Sequence, residues 1–204
     1  MKISLSNPFL ISIILFSLSS CSLYQPSNPN NICSIFSGET DWYLAAKKSQ
    51  DKWGVSIPNL MATMKQESHF VSHAQPKRKW FLWVIPLPRE STAYGYAQAQ
   101  DPVWEEYTAD GHRFHVRDNF ADAINFIGWY MHGSSKTLGI SKTDIYSQYL
   151  AYHEGRGGFK RKTYNKKPWL TKVAQNVKRQ SIRYSSQLKG CKTSLENTSS
   201  SWFW

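Results

Sequence analysis

The sequence predicts a mainly α-helical single globular domain with flexible tails at both ends. Apolar residues recur at the spacing of one helical face in successive segments, whereas strand-like alternation is nearly absent. The segments "SLYQPSNPNN" and "KTSLENTSSSWFW" near the two ends are instead rich in polar turn residues. With 204 residues, the chain is long enough to bury a genuine core between these tails.

The first two predicted helices carry their apolar residues on one face each. Pro58 stands where the first turn of the second helix tolerates proline. The face of the first helix consists of Trp42, Ala45, Ala46, Ser49 and Trp53, and that of the second begins with Leu60, Met61 and Met64.

Three more helices follow the same pattern. One has a plausible N-cap at Asp118, one starts at Thr143 or Asp144 and stops at Gly155, and the last opens at Pro168. The first of them carries Phe120, Ala123, Ile124 and Ile127, and the last carries Leu170, Val173, Ala174 and Val177. The run "WFLWVI", in the loop after the second helix, is the only strand-like stretch.

The first twenty residues are predicted to be a secretory signal peptide, because Lys2 precedes an apolar run too short to span a bilayer. The following "LSSC" resembles the bacterial lipobox, which implies lipidation of Cys21 and a membrane anchor without a spanning helix. The alternative is an ordinary cleavage site beside a chance cysteine. Ser22, rather than aspartate, follows the cysteine, which favours the outer membrane facing the periplasm. We therefore expect a lipidated tether at 21–40.

If Cys21 carries lipid, Cys33 and Cys191 remain as one pair in an oxidising compartment. We predict a disulfide between them, with two free thiols as the alternative. The domain is then expected to cover residues 41–190, with a C-terminal tail at 191–204.

The formal net charge of +11 favours polyanionic partners. Basic residues gather in "KRK" (77–79) and in "FKRKTYNKK" (159–167). An exported lipoprotein meets anionic membrane and cell wall, so nucleic acid is not expected. A solvated basic face without a specific partner is the alternative, and protein partners in the envelope are unknown.

Three short segments carry candidate chemistry. Glu67 is the only acid between Asp51 and Glu90, and it shares the inward face of its helix with Leu60 and Met64. "GYAQ" (95–98) and "AYHEG" (151–155) follow. Singly, these segments are typical of a solvated charge, a turn, and a core tyrosine before a helix cap.

Together and in this order, they resemble the signature of lytic transglycosylases with the soluble-transglycosylase (SLT) domain. Those enzymes carry Glu-Ser at a helix end, Gly-x-x-Gln, and Ala-Tyr-Asn-x-Gly. The resemblance covers about residues 42–188 and implies a lysozyme-like fold. It also implies cleavage of the β-1,4 bond between N-acetylmuramic acid and N-acetylglucosamine in peptidoglycan, forming 1,6-anhydro ends.

The resemblance makes Glu67 the catalytic acid, and burial is needed to raise its pKa above the ordinary value of about 4.3. It implies that Tyr152 orients Glu67 by hydrogen bonding, that Ser68 supports it, and that Gln98 lines the cleft near the acetamido group. Gly95 and Tyr96 are the remaining candidates for substrate binding or support.

Two departures from the family pattern affect these expectations. Residues 69–94 form a longer segment than the family needs, which suggests an added lip on the cleft. His153 replaces the usual asparagine, and its role, like that of Glu154, is not assigned.

Hydrolysis of the lysozyme type is one alternative, and it needs a second carboxylate. Glu154 is the candidate; Asp101 and Glu105 resemble helix-entry acids.

A non-catalytic peptidoglycan-binding lipoprotein is another alternative, with aromatic walls from Trp80, Phe81, Trp83 or Tyr96. His69 and His73 have i, i+4 spacing, but "HxxxH" lacks the internal glutamate of a zinc protease. We therefore expect neither a metal nor another cofactor.

Overall fold

The computed structural model describes residues 25–200, apart from the side chains of residues 199 and 200, and this part is mainly helical, as predicted. The helices are α1 (Ile32–Gly38), α2 (Thr40–Trp53), α3 (Ile57–Ser68), α4 (Asp101–Tyr107), α5 (Phe120–Leu138), α6 (Ile145–Lys160) and α7 (Pro168–Ser200). A π-helical turn covers Thr108–His112, and a 3-10 turn covers Thr163–Lys166. The strands β1 (Trp80–Phe81) and β2 (Ile85–Pro86) form a two-stranded antiparallel hairpin.

Helix α3 lies at the centre of the domain. Every residue from Ile57 to Met64 is buried, so this helix is enclosed on all sides until its last turn. It contacts α2, α5 and α7, while α6 packs between α5 and α7. A helix buried all round has its backbone fixed by its neighbours, and α3 thereby provides a rigid support for the residues at its C-terminal end.

An aromatic cluster joins α2 to α5 beside the end of α3. The rings of Trp42 and Phe120 stack at 3.9 Å between centroids, and Phe70 and Tyr96 pack against Trp42. Aromatic rings supply large buried areas, so this cluster holds the loops on either side of the hairpin against the helical core.

The predicted tether at 21–40 is too long. Residues 32–38 form α1, in which Ile32, Ile35 and Phe36 are fully buried. Asn31 caps this helix, since its side-chain oxygen accepts hydrogen bonds from the backbone N–H groups of Cys33 and Ser34. The apolar i, i+3, i+4 spacing of these residues explains why the segment packs into the core. Residues 1–24, including the predicted signal peptide and Cys21, lie outside the described residues.

The C-terminal tail predicted at 191–204 is wrong for residues 191–200, which continue α7. The apolar stripe of this helix does not stop at Leu188, because Leu195 is also buried two turns later. One further boundary differs, since Asn119 caps α5 rather than Asp118. Regular helix is interrupted at Gly155, as predicted, with φ of 74° and ψ of 157°, and a second helical segment then continues α6 to Lys160.

The structure contains the predicted disulfide between Cys33 and Cys191, which joins α1 to α7 across 158 residues of sequence. Gln187 reinforces this junction: its side-chain oxygen accepts a hydrogen bond from the backbone of Ile32. None of the helices within residues 25–200 has both the length and the apolar character needed to cross a membrane.

We expect the Cys33→Ser/Cys191→Ser variant to lose about 4 kcal/mol of unfolding free energy, because an open chain gains loop entropy on unfolding. Chemical denaturation with and without reductant measures this loss. Reduced wild type should match the variant, and the variant should not respond to reductant. Equal stability of the oxidised wild type and the variant would contradict this role of the disulfide.

Candidate active site

Glu67 lies in the last turn of α3, directly before the chain leaves the core. His69 and Phe70 both adopt left-handed backbone conformations, with φ of 51° and 62°. Two such non-glycine residues in succession are unfavourable by about 1–2 kcal/mol each. Complete burial of the Phe70 ring against Trp42 offsets this strain. The abrupt exit leaves the Glu67 side chain at the floor of an open cleft.

The Glu67 carboxyl group is held in an apolar setting. Its Oε1 atom is buried and has no hydrogen-bond partner among residues 25–200. Burial raises the pKa of Glu67 to about 7, although a hydrogen bond from the Tyr149 hydroxyl group partly opposes the rise. At neutral pH the carboxyl group is therefore divided between its acid and carboxylate forms.

Helix α6 presents two phenol groups to this carboxyl, from Tyr149 and Tyr152, which are three residues apart on one helical face. Tyr149 bonds to Glu67, whereas the Tyr152 hydroxyl donates to the Ala97 carbonyl at 2.6 Å. The expectation that Tyr152 orients Glu67 by a direct hydrogen bond is therefore wrong. Burial and the nearby Glu67 charge raise the pKa values of both phenols, so both stay neutral.

The "GYAQ" segment forms a tight turn opposite α6. Gly95 has a φ of 76°, and a Cβ atom there would lie 2.1 Å from the backbone oxygen of Arg117, so only glycine fits. The Gln98 amide nitrogen donates to the carbonyl groups of Ala74 and Gly95, at 2.8 and 2.9 Å. Gln98 thus holds the turn together and leaves its amide oxygen to accept a bond from a ligand.

Two predicted support residues lie behind the cleft rather than in its wall. Tyr96 is buried in the aromatic cluster, where its ring packs edge-on against both Trp42 and Phe120. The Ser68 hydroxyl donates to the Met64 carbonyl one turn earlier in α3. Neither lines the cleft, and Gly95 does not line it either. Their contribution is to the backbone around Glu67 and Gln98.

The cleft has a volume of about 460 Å³ and opens between α6, the turn at 95–98 and the start of α4. Its wall combines apolar and polar groups in similar proportion, which suits a sugar with its hydroxyl and ring faces. The residues that line it are Glu67, Ser91, Ala93, Gln98, Ala99, Gln100, Val103, Phe126, Tyr130, Tyr152, His153, Glu154 and Gly155.

Glu154 is the other carboxyl group in this wall, but its oxygen atoms are occupied. One accepts from the Lys167 ammonium at 2.7 Å and from the His153 ring at 3.2 Å, and the other accepts from the Thr163 hydroxyl. The side chain is only 4% exposed, which by itself raises a carboxyl pKa. These partners outweigh the burial and lower the pKa of Glu154 to about 2. The ionised Glu154 side chain therefore connects α6, beside the kink at Gly155, to Thr163 and Lys167.

The histidine pair considered for a metal lies apart from the cleft wall. His73 bonds through Nδ1 to the Tyr94 hydroxyl at 2.8 Å and lies 3.5 Å from Asp118. His69 is exposed at the end of α3. Within the described ranges no three histidine, cysteine or acidic side chains gather at metal-binding distance.

A family model for the transglycosylase SLT domain matches residues 9–191, nearly the whole chain. The chain belongs to this family. No curated protein and no solved structure matches it. The family has a mainly α, lysozyme-like fold, and its lytic transglycosylases act on peptidoglycan. The predicted family membership is thereby confirmed. The three segments on which the prediction was based lie at the end of α3, in the turn at 95–98 and in α6.

Tyr149 is a neighbour of Glu67 that the sequence did not single out. It stands one helical turn before Tyr152, so the i, i+3 spacing was a usable signal. The family motif begins at Ala151 and therefore directed the expectation to Tyr152, which lines the cleft but bonds to the Ala97 carbonyl. Only the rotation of α6 against α3 decides which hydroxyl group reaches Glu67.

The raised pKa of Glu67 has a cost in stability. The folded protein holds the proton more tightly than the unfolded chain, whose carboxyl pKa is about 4.5, so stability falls as pH rises from 4.5 to 7. Glu67→Gln should therefore be more stable than wild type above about pH 7, by on the order of 3 kcal/mol. Below about pH 4.5 the difference should disappear. Denaturant unfolding across this range measures it.

Glu154→Gln provides a control in which the change in stability at neutral pH should have the opposite sign. The pKa of Glu154 is lowered to about 2, so its contribution is complete above pH 4.5 and is lost as pH falls towards 2. This variant should be less stable than wild type at neutral pH. A Glu67→Gln variant that is no more stable than wild type above pH 7 would contradict the conclusion that burial destabilises the ionised form of Glu67.

Proposed function

We propose that the SLT domain cleaves the β-1,4 bond between N-acetylmuramic acid and N-acetylglucosamine without water, leaving 1,6-anhydro-N-acetylmuramic acid ends. The observation that carries this proposal is the presence of one free carboxyl group in the cleft. Glu67 has a pKa of about 7, whereas Glu154 is ionised and fully bonded. One group with this pKa suits a reaction in which the same residue first donates and then accepts a proton.

In the first step Glu67 acts as the acid. Its carboxyl proton passes to the oxygen that links the two sugars, the bond from muramoyl C1 to that oxygen breaks, and the N-acetylglucosamine end departs as an alcohol. A pKa near 7 keeps a substantial share of Glu67 protonated at neutral pH, which an exposed glutamate does not achieve.

In the second step the carboxylate acts as the base. It takes the proton from the muramoyl C6 hydroxyl, whose oxygen bonds to C1 and closes the anhydro ring. The hydrogen bond from Tyr149 stabilises the carboxylate between the steps, and the neutral Tyr152 adds no competing charge. Glu67 returns to its acid form, so atoms and charge balance over the cycle.

Hydrolysis fits this cleft less well because it requires a second carboxylate to activate water or attack the sugar. Glu154 is held by Lys167, His153 and Thr163. Asp101 is 2.7 Å from the Arg117 guanidinium and does not line the cleft, and neither does Glu105. Among the described residues, none of the acids considered for that role offers a free carboxyl group to the cleft.

A purely binding role fits less well too. Binding a sugar does not require a buried acid that lowers stability at neutral pH. The aromatic walls considered for that role are absent from the described cleft lining, since Trp80, Phe81, Trp83 and Tyr96 all lie elsewhere. We assign substrate contact instead to Gln98, whose amide oxygen suits the N–H group of an acetamido substituent.

We also propose that the chain is exported, lipidated at Cys21 and held at the outer membrane facing the periplasm. The disulfide between Cys33 and Cys191 supports export, because such bonds persist in oxidising compartments.

Digestion of purified sacculi followed by mass spectrometry of the products tests both reaction and residue. Wild type should release muropeptides with 1,6-anhydro ends, and Glu67→Gln should release none while still binding sacculi. Reducing ends throughout the wild-type products would refute the non-hydrolytic reaction. Undiminished cleavage by a folded Glu67→Gln variant would refute the assignment of Glu67.

Tyr149→Phe removes the donor that stabilises the Glu67 carboxylate. A hydrogen bond to a charged group contributes about 1.5 kcal/mol or more, so the pKa of Glu67 should rise by about one unit and turnover should fall about tenfold. The alkaline limb of the pH-rate profile should move to higher pH. Tyr146→Phe, on the same helix but not among the groups that influence the pKa of Glu67, is the matched control. An unshifted limb for Tyr149→Phe would contradict its positioning role.

A further inference from the structure

The hairpin at residues 80–87 exposes an unusual amount of apolar surface. Trp83 at its tip is 94% exposed, and all seven non-proline residues have exposed side chains. They are Trp80, Phe81, Leu82, Trp83, Val84, Ile85 and Leu87. Single exposed apolar residues are ordinary, but a contiguous group of this kind marks a surface that meets a partner or a membrane.

The tip of this apolar hairpin is also strained. Leu82 and Trp83 have positive φ angles of 51° and 65°, a conformation that favours glycine or asparagine in a two-residue turn. The backbone N–H of Val84 closes the turn on the Phe81 carbonyl at 3.3 Å. The chain thus keeps two large apolar side chains where turn chemistry favours small or polar ones.

Packing within the described part of the protein does not explain this arrangement. Strands of two residues each are marginal without a surface to pack on, and no apolar residue between 71 and 95 is buried. The apolar hairpin is also absent from the cleft wall. Its partner therefore lies outside the described fold.

Basic residues surround the base of the hairpin. Lys77, Arg78 and Lys79 precede it and Arg89 follows, against the single acid Glu90. Lys79 pairs with Glu90, and the Arg89 guanidinium bonds to the Pro76 carbonyl, which leaves Lys77 and Arg78 as exposed charges. The hairpin therefore has an uncharged aromatic tip and, at its base, a positively charged collar formed by Lys77 and Arg78.

We propose that the apolar hairpin inserts into the interface of a lipid bilayer that carries anionic headgroups. Tryptophan and aliphatic side chains partition to the boundary between headgroups and acyl chains, and basic residues beside them bind acidic lipids. The apolar tip of the hairpin matches the boundary between headgroups and acyl chains, and the basic residues at its base match the acidic headgroups. This proposed membrane contact requires neither lipidation of Cys21 nor the proposed reaction.

The hairpin edge favours a bilayer over a protein strand or a second copy of the chain. Pro86 lies within β2, and Pro88 follows at the base. Proline lacks the N–H group that an added strand needs, so the β2 edge is poorly suited to β-pairing. A bilayer interface needs no such pairing.

The full chain carrying Cys21→Ser and Trp83→Cys, labelled at position 83 with an environment-sensitive fluorophore, tests the proposal. Because Cys33 and Cys191 are joined, position 83 is the single free thiol. The same label at Ile182→Cys, an exposed apolar position on α7, is the matched control. The fluorophore responds to the polarity around the labelled position, so its signal distinguishes insertion of the hairpin from contact of another part of the chain with the vesicle.

With vesicles of equal parts phosphatidylcholine and phosphatidylglycerol, the label at 83 should shift to the blue and be quenched by brominated lipid severalfold more than the label at 182. Phosphatidylcholine alone should give a smaller response. Lys77→Gln/Arg78→Gln should lose the difference between the two vesicle types.

Three outcomes would overturn the proposal. One is that the fluorescence of the label at 83 remains the same as in buffer although the chain co-floats with the vesicles. Another is a blue shift without lipid that grows with protein concentration, which would identify a second copy as the partner. The third is a response to sacculi but not to vesicles, which would make the hairpin a glycan contact.

Discussion

The shielding of one carboxyl group from water, complete at the Oε1 atom of Glu67, is the constraint on which the rest of the structure depends. Glu67 needs a dry floor, and only a helix enclosed on all sides delivers a side chain to such a place with a fixed backbone. The chain must then turn out of the core at once, through two left-handed residues that Phe70 secures. The cleft walls, from α6 and the turn at 95–98, are arranged around this exit.

The two carboxyl groups of the cleft show how environment separates similar side chains. Glu67 and Glu154 both lie in its wall, but one has a single phenol as partner and the other has an ammonium, a hydroxyl and an imidazole. Their pKa values differ by about five units as a result. The ionic group braces the kink at Gly155, and that brace keeps α6 in position to present Tyr149 and Tyr152.

Features determined by local pattern were predictable from the sequence, and features determined by the packing of separate elements were not. The central helices follow from apolar spacing, and Glu67 was identifiable because it is an isolated acid on an inward face. Tyr149 was missed because the rotation of α6 against α3 is a tertiary property. Helix α1 was mistaken for a tether because polar residues precede it, although its apolar spacing was present. The apolar run of the hairpin was visible, but its exposure was not.

The disulfide between α1 and α7 also determines how the domain bears mechanical load. Tension applied to the chain before residue 32 reaches Cys33 and passes through the sulfur bridge into α7. Helix α7 packs along both α3 and α6, the helices that hold the cleft. Such a pull is therefore shared by the helices around the site instead of peeling α1 and α2 away in sequence.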